Sequence, residues 1–342
     1  MAAGLCLLLW GCKGDDNYVA PTVKNTIGFV SSVSDTASTR TTTGLLNSNY
    51  DFAQTGNSFG VYGYKYDATL NEQIFTDEPV TCTRNGSNVA WDYEPLRYWD
   101  IQRNYTFIAY APYNSATPAV VSGMSPASTS GTTGDISLGL SGVPGWQPSL
   151  TGYDIVVSQA VNRAPGENDV VYLRFNHILS RVMVRYRLAG ALPSGCTITI
   201  DTTSISYMPQ SGDYLRSYTQ ATATHTDTWS HVTLSNDYHL MCSSDSLLAT
   251  TYKQYGSQYL VIPWDYTTQG TYPKLHYHYK FRKGVQGINV GGTIDLKSGL
   301  PAMKAGTGVA INIIISYNDG ELHDYDQLNP DAFSTWWTAV GY

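Results

Sequence analysis

The sequence predicts an all-β protein, organised as two tandem β-sandwich domains. Aromatic residues make up 13% of the 342 residues, with 27 Tyr, while charged residues are only 14%. Tyr and Thr suit half-buried pleated surfaces, whereas a helical chain would carry more Ala, Glu, Lys and Leu. Short stretches of alternating apolar and polar residues recur along the chain, and no apolar repeat of helical period is sustained over three turns. The length exceeds one ordinary sandwich and suits two.

At the N-terminus, residues 1–11 (MAAGLCLLLWG) form an apolar run that ends in a small residue before Cys12 and the polar KGDDN. The run is too short to cross a bilayer, which takes roughly 20 apolar residues. It resembles a bacterial lipoprotein signal peptide. No basic residue precedes it, and Trp10 is bulkier than the residue usual at that place. The resemblance implies a signal over residues 1–11, lipidation of Cys12 (palmitate among the acyl chains) and a surface-exposed lipoprotein of the cell outer membrane. Each buried CH₂ of such an anchor contributes about 0.8 kcal/mol. Asp15 and Asp16, just after Lys13, are similar to the tag that exports such lipoproteins to the outer face. Residues 12–25 read as a tether.

The first predicted strand is Ile27–Val33, in which Ile27 and Phe29 face one way and Gly28 and Val30 the other. It runs into the polar SDTASTRTTTG, whose one basic residue is Arg40. Further strands are predicted over Phe59–Tyr66, Val89–Tyr93, Tyr105–Tyr110, Asp154–Val157, Val170–Phe175 and Ile178–Leu188. The pattern continues over Thr197–Ile200, Tyr259–Ile262, Leu275–Phe281 and Val309–Tyr317. Two stretches rich in small and polar residues, Ser122–Thr151 and Met208–Trp229, read as long loops. The polar turn cluster Asn162–Asn168 (NRAPGEN) sets the expected boundary, giving an N-terminal domain over 26–165 and a C-terminal domain over 166–342.

A net charge of −7 leaves no sequence-wide attraction for phosphate, so nucleic acid is excluded as a partner. The five cysteines are Cys6, Cys12, Cys82, Cys196 and Cys242; no two lie two to four residues apart, so no zinc or redox motif is present. With Cys6 in the signal and Cys12 lipidated, the other three form at most one disulfide or stay as buried thiols. Gly139–Val143 begins like a nucleophile elbow but lacks the closing glycine. His276 and His278 share a strand face without a third metal ligand. Asp319, Glu321, Asp324, Asp326 and Asp331 lack EF-hand spacing and read as a solvated acidic face. His177, between two apolar strands, reads as a structural histidine. No catalytic residue, cofactor or metal ligand is nominated, and the chain is read as a structural protein and not an enzyme.

Several blocks carry a resemblance when taken in order. They are FGVYGYKY (Phe59–Tyr66), WDYEPLRYWDIQRNYTFIAYAP (Trp91–Pro112), DIVVSQA (Asp154–Ala160) and VYLRFNHILSRVMV (Val171–Val184). YLVIPW (Tyr259–Trp264) and GTGVAINIIISY (Gly306–Tyr317) follow more loosely. Together they resemble the fimbrillin superfamily, the type V pilins and their accessory subunits, over roughly residues 26–190. That resemblance implies two transthyretin-like sandwiches in a structural or accessory subunit of a surface fimbria (pilus), contributing to cell adhesion. Partners implied are fimbrial subunits of the same or related type, together with host or bacterial surface receptors.

In polymerising members an arginine-specific protease cuts after an early strand, and a C-terminal segment of the neighbouring subunit fills the opened groove. Carried over, the cut falls between Arg40 and Thr41, the strand lost is about Ile27–Thr39, and donors lie within Val309–Tyr342. The candidate donor strand places Val309, Ile311, Ile313 and Ile315 on one face. Arg40 is alternatively a plain surface arginine, and Val309–Tyr317 an ordinary central strand. The rival reading of the whole chain is a monomeric outer-membrane carbohydrate-binding lipoprotein, which calls for exposed aromatics arranged as a platform.

Overall fold

The computed structural model describes residues 25–33, 52–113, 134–145, 147–148, 154–235, 239–240, 245–247, 250–266, 270–296, 302–316, 329–330 and 334–337. Among these residues every named element is a strand. The first part of the chain forms β1 (Phe29–Val33), β2 (Ser58–Tyr66), β3 (Asn71–Asn85), β4 (Asn88–Asp92) and β5 (Asn104–Ala111). There follow β6 (Ile136–Pro144), β7 (Gln147–Pro148), β8 (Val156–Ser158), β9 (Val161–Arg163), β10 (Val171–His177) and β11 (Ser180–Leu188). Next come β12 (Cys196–Ser206), β13 (Pro209–Thr219), β14 (Thr224–Leu234), β15 (His239–Leu240), β16 (Asp245–Ser246) and β17 (Lys253–Val261). The last are β18 (Lys274–Lys283), β19 (Gln286–Asp295), β20 (Gly308–Ile315), β21 (Asn329–Pro330) and β22 (Ser334–Trp337).

Four sheets result. An eight-stranded sheet runs β1-β10-β8-β5-β2-β3-β4, with β9 beside β5. A six-stranded sheet runs β21-β20-β11-β17-β7, with β22 also on β20, and a five-stranded one runs β15-β12-β18-β19, with β16 on β12. The fourth has the order β14-β13-β6.

Among the described residues three hydrophobic cores hold the sheets together. The inner face of the eight-stranded sheet gathers Phe29, Phe52, Phe59, Phe75, Phe107 and Phe175 with Trp91 and Trp99. The six- and five-stranded sheets enclose a second core of Val182, Val184, Ile198, Ile200, Val309, Ile311, Ile313 and several tyrosines. A third core lies between them: Tyr62, Tyr64, Ile108 and Tyr110, on the other face of β2 and β5, meet Ile136, Leu138, Leu140, Tyr214 and Leu260. β2 and β5 are thus buried on both faces, which accounts for their almost unbroken aromatic and apolar sequences. Gly63 belongs to this packing, because a Cβ there would come within 2.7 Å of the Phe107 ring.

One expectation is corrected. The described part of Ser122–Thr151 contains β6, and Met208–Trp229 holds β13 and most of β14. In β6, Ile136, Leu138 and Leu140 alternate and are fully buried, while Gly and Ser fill the positions between. Third-core packing overrides the weak strand propensity of those small residues. Strand pairing also crosses the expected boundary after residue 165 in both directions. β10 pairs with β1 and β8, whereas β6 pairs with β13 and β7 with β17. The chain passes from the first sheet to the second at Ile178 and Leu179, between β10 and β11.

Candidate assembly site

β1 is built from few contacts of high quality. All five of its residues pair in parallel with β10, from Phe29 opposite Val171 to Val33 opposite Phe175. Parallel neighbours need a long connection, so no hairpin dictates this pairing. Two side chains plug the core beneath, Ile27 and Phe29, both almost fully buried. The Phe29 ring sits 5.4 Å from that of Phe75, 5.7 Å from Tyr93 and 5.9 Å from Phe107, all edge-on. Such pairs contribute about 0.5–1.5 kcal/mol beyond their buried area.

Backbone hydrogen bonds fix the entry to β1. Ile27 N–H donates to Arg97 O at 2.9 Å, Trp99 N–H to Asn25 O at 2.9 Å, and Val171 N–H to Gly28 O at 2.8 Å. The Tyr93 hydroxyl donates to Ile27 O at 2.7 Å. Burial pushes that hydroxyl up to about 12, so it stays a protonated donor at neutral pH. Removal of β1 would leave a slot beside β10 lined by Phe59, Phe75, Tyr93 and Phe107.

The candidate donor residues Val309, Ile311, Ile313 and Ile315 lie in β20 and all point into the second core, as the alternation requires. Each residue of β20 is buried, and the strand runs parallel to β11 from Arg181–Gly308 to Leu188–Ile315. Its other edge carries β22 opposite Gly308–Ala310 and β21 opposite Ile313–Ile314, both antiparallel. The structure does not bring β20 and β1 together: they occupy different sheets and cores. Cys12, Arg40 and Thr41 lie outside the described residues, as do Cys242 and the acidic residues 319–326 and 331.

Other singled-out residues have structural settings. The buried His177 Nδ1 lies 2.9 Å from Asp154 Oδ1, at the crossing between the sheets. Arg181 beside it is pushed down to about 10 by burial, against the pull of Asp154. His276 bridges Ser206 and Thr293, and His278 Nδ1 is 2.9 Å from Asp201 Oδ2. Among the described residues no group of three potential metal ligands forms. Cys82 and Cys196 are buried free thiols in separate cores. Gly142, of the elbow-like sequence, donates its N–H to Asp213 Oδ1 at 2.7 Å.

One polar cluster was not foreseen, because it sits in the stretch read as a loop. Arg216 on β13 donates to both carboxylate oxygens of Asp227 at 2.8 Å, and to Val157 O and Ser158 O at 2.9 and 3.1 Å. Burial raises the Asp227 carboxyl, but the Arg216 bonds outweigh it and hold the group below its ordinary value. Ala160 N–H donates to His225 Nε2 at 2.9 Å, and Asn162 Nδ2 to the Tyr218 hydroxyl at 2.7 Å. The β13–β14 hairpin is thereby pinned to β8 and β9 of the first sheet.

The sequence profile described as fimbrillin-like matches residues 39–315. The chain belongs to the fimbrillin-like family. This fimbrillin-like protein superposes on a fimbrial protein of Bacteroides vulgatus with a TM-score of 0.55 at 14% identity, covering 92% of this chain and 99% of that one. A candidate cell-adhesion protein of Bacteroides uniformis gives 0.50 at 15% identity, with 94% and 99% covered. Identities this low carry the fold alone. No curated protein matches the sequence. Family membership makes the protein a non-enzymatic component of a cell-surface fimbrium.

Proposed function

We propose that this fimbrillin-like protein is a structural or accessory subunit of a fimbria, exported as a Cys12-lipidated outer-membrane lipoprotein and joined to its neighbours by strand exchange. Its two units act as tandem transthyretin-like sandwiches, and the fibre contributes to adhesion to host or bacterial receptors. The observation that carries the reading is β1, a strand held by parallel pairing, by its own Phe29 and by Ile27 just before it. Arg40 follows it by a short polar stretch suited to proteolysis. Burying each large apolar side chain of a replacement strand would contribute roughly 1.5–3 kcal/mol. Ladder bonds to β10 would set its direction and register.

The donor comes from Val309–Tyr342. Lending Val309, Ile311, Ile313 and Ile315 takes them out of the second core, so the neighbour's groove must return that burial. A donor drawn from beyond β20 avoids this cost.

Treating the purified precursor with an arginine-specific protease tests the proposal. A cut between Arg40 and Thr41, followed by denaturant-resistant ladders on a gel, is expected; Arg40→Ala should stay monomeric. A chain that is cut there and still remains monomeric rules out the exchange.

The rival carbohydrate-binding reading draws on Tyr98 and Tyr172, 57% and 62% exposed, which lie to either side of the chain leading into and through β1. Glycan-array binding that is lost in Tyr98→Ala, with no ladders after cutting, would favour it.

A further inference from the structure

An exposed sheet edge offers unpaired N–H and C=O groups to any extended strand, and folded proteins commonly blunt such edges with short strands, bulges, charges or prolines. Most edges of this molecule follow that rule. β4 is five residues long. β14 carries two register shifts against β13, a residue of left-handed backbone (His231, φ 51), and the ion-paired Asp227. β6, at the other edge of the same sheet, is shifted as well.

β19 has none of these protections. It pairs with β18 without a shift from Lys274–Asp295 to Lys283–Gln286, and among the described residues it pairs with no other strand. Its sequence, QGINVGGTID, holds no Pro, Lys or Arg, and its one charge is the terminal Asp295. Val290 is buried in the second core, and Ile288 and Ile294 pack against that core only partly covered, at what is the edge of the sheet among the described residues. Gly287, Asn289, Gly291 and Thr293 are exposed on the other face.

We propose that β19 is a lateral docking edge for a second copy of this chain, the two β19 strands pairing antiparallel about a two-fold axis at Gly291. Directly opposed residues in an antiparallel pair share a face, so a two-fold axis must coincide with a residue opposed to itself. With the axis at Gly291, Ile288 of each copy faces Ile294 of the other, and the two half-covered isoleucines at each end cover one another. Asn289 then faces Thr293, Val290 faces Gly292, and Asp295 faces Gly287, which keeps the two carboxylates apart. An axis at Val290 would instead set Ile288 against Gly292 and Ile294 against Gln286. The self-complementarity of the strand selects the first register.

The paired edges alone fall short of the roughly 1,200–2,000 Å² of a stable interface, so the contact is weak between free chains. It strengthens wherever many copies are displayed together. The inference does not depend on the strand-exchange reading, because β19 belongs neither to β1's sheet nor to β20's.

Cysteine cross-linking of the full chain, with Cys6, Cys12 and Cys242 replaced by Ser, tests it. In the proposed register, residue 291 opposes itself with Cα atoms ~4.5–5.5 Å apart, inside the Cα range a disulfide spans. Residue 289 lies ~14 Å from its own copy. Mild oxidation should therefore cross-link Gly291→Cys at least about ten-fold more than Asn289→Cys. Equal or absent cross-linking in folded variants overturns the proposal.

A side chain at 291 would meet the His278 ring and Tyr277 O at 3.3 Å, so a measurement on the unmodified chain accompanies the variants. Deuterium uptake across residues 286–294 should fall as protein concentration rises through the association range. Uptake independent of concentration overturns the proposal even where the Gly291 variant fails to fold.

Discussion

β1 and β20 hold matching positions in the two halves of the molecule and are secured very differently. Each lies parallel to one of two consecutive strands, β1 against β10 and β20 against β11. β1 is five residues long, and its segment sends Ile27 and Phe29 into an aromatic core. β20 is buried along its whole length, sends four aliphatic side chains into its core, and carries β21 and β22 on its far edge. Ease of replacement follows from that difference. A short parallel strand with two plugs can be removed without dismantling its sheet, whereas β20 sits well inside its own. Under the proposed strand exchange, the acceptor would be the N-terminal half.

The sharpest way to break this comparison is to remove a plug on each side. Phe29→Ala should cost about 3–5 kcal/mol in denaturant unfolding. Hydrogen exchange should show β10 loosened while β11 keeps its protection. Ile311→Ala should cost about 2–4 kcal/mol and loosen β11 and β12 in preference to β10. If either substitution loosens both halves equally, the third core couples them too tightly for β1 to act alone.

Acid should weaken the seam between the halves by a smaller amount. Burial, and then the Arg216 charge, push His225 below the ordinary histidine value, and the neutral ring accepts the Ala160 N–H. The unfolded chain then binds more protons than the folded one as pH falls below about 6.5, so the stability present above that pH is progressively lost. The Tm should drop between pH 7 and 5, and His225→Gln should flatten that slope. The smallest effect is expected at Tyr172, exposed on the outer face of β10: Tyr172→Ala should change stability by less than about 0.5 kcal/mol.

Much of the fold was legible because two-sided burial leaves a dense signature. FGVYGYKY and YTFIAYA read as strands since β2 and β5 need large side chains on both faces. β6 was missed for the opposite reason: Ile136, Leu138 and Leu140 alternate, but Ser and Gly between them dilute the pattern. The β13–β14 hairpin fared likewise, its Tyr214 and Tyr218 lying among Thr, Ser and Asp. Of the candidate site, the inward positions of Ile27, Phe29 and the four β20 residues could be read from alternation. The parallel partners could not, since Phe29 meets Val171 across most of the first unit, a pairing that tertiary packing decides.

The most direct test of the central claim is amide exchange at β10 before and after cutting at Arg40. The account predicts that residues 171–175 lose protection when the severed β1 segment leaves, and regain it as subunits polymerise. If those amides stay protected after the cut with β1 still bound, or stay open within assembled fibres, β1 does not mark the exchange site.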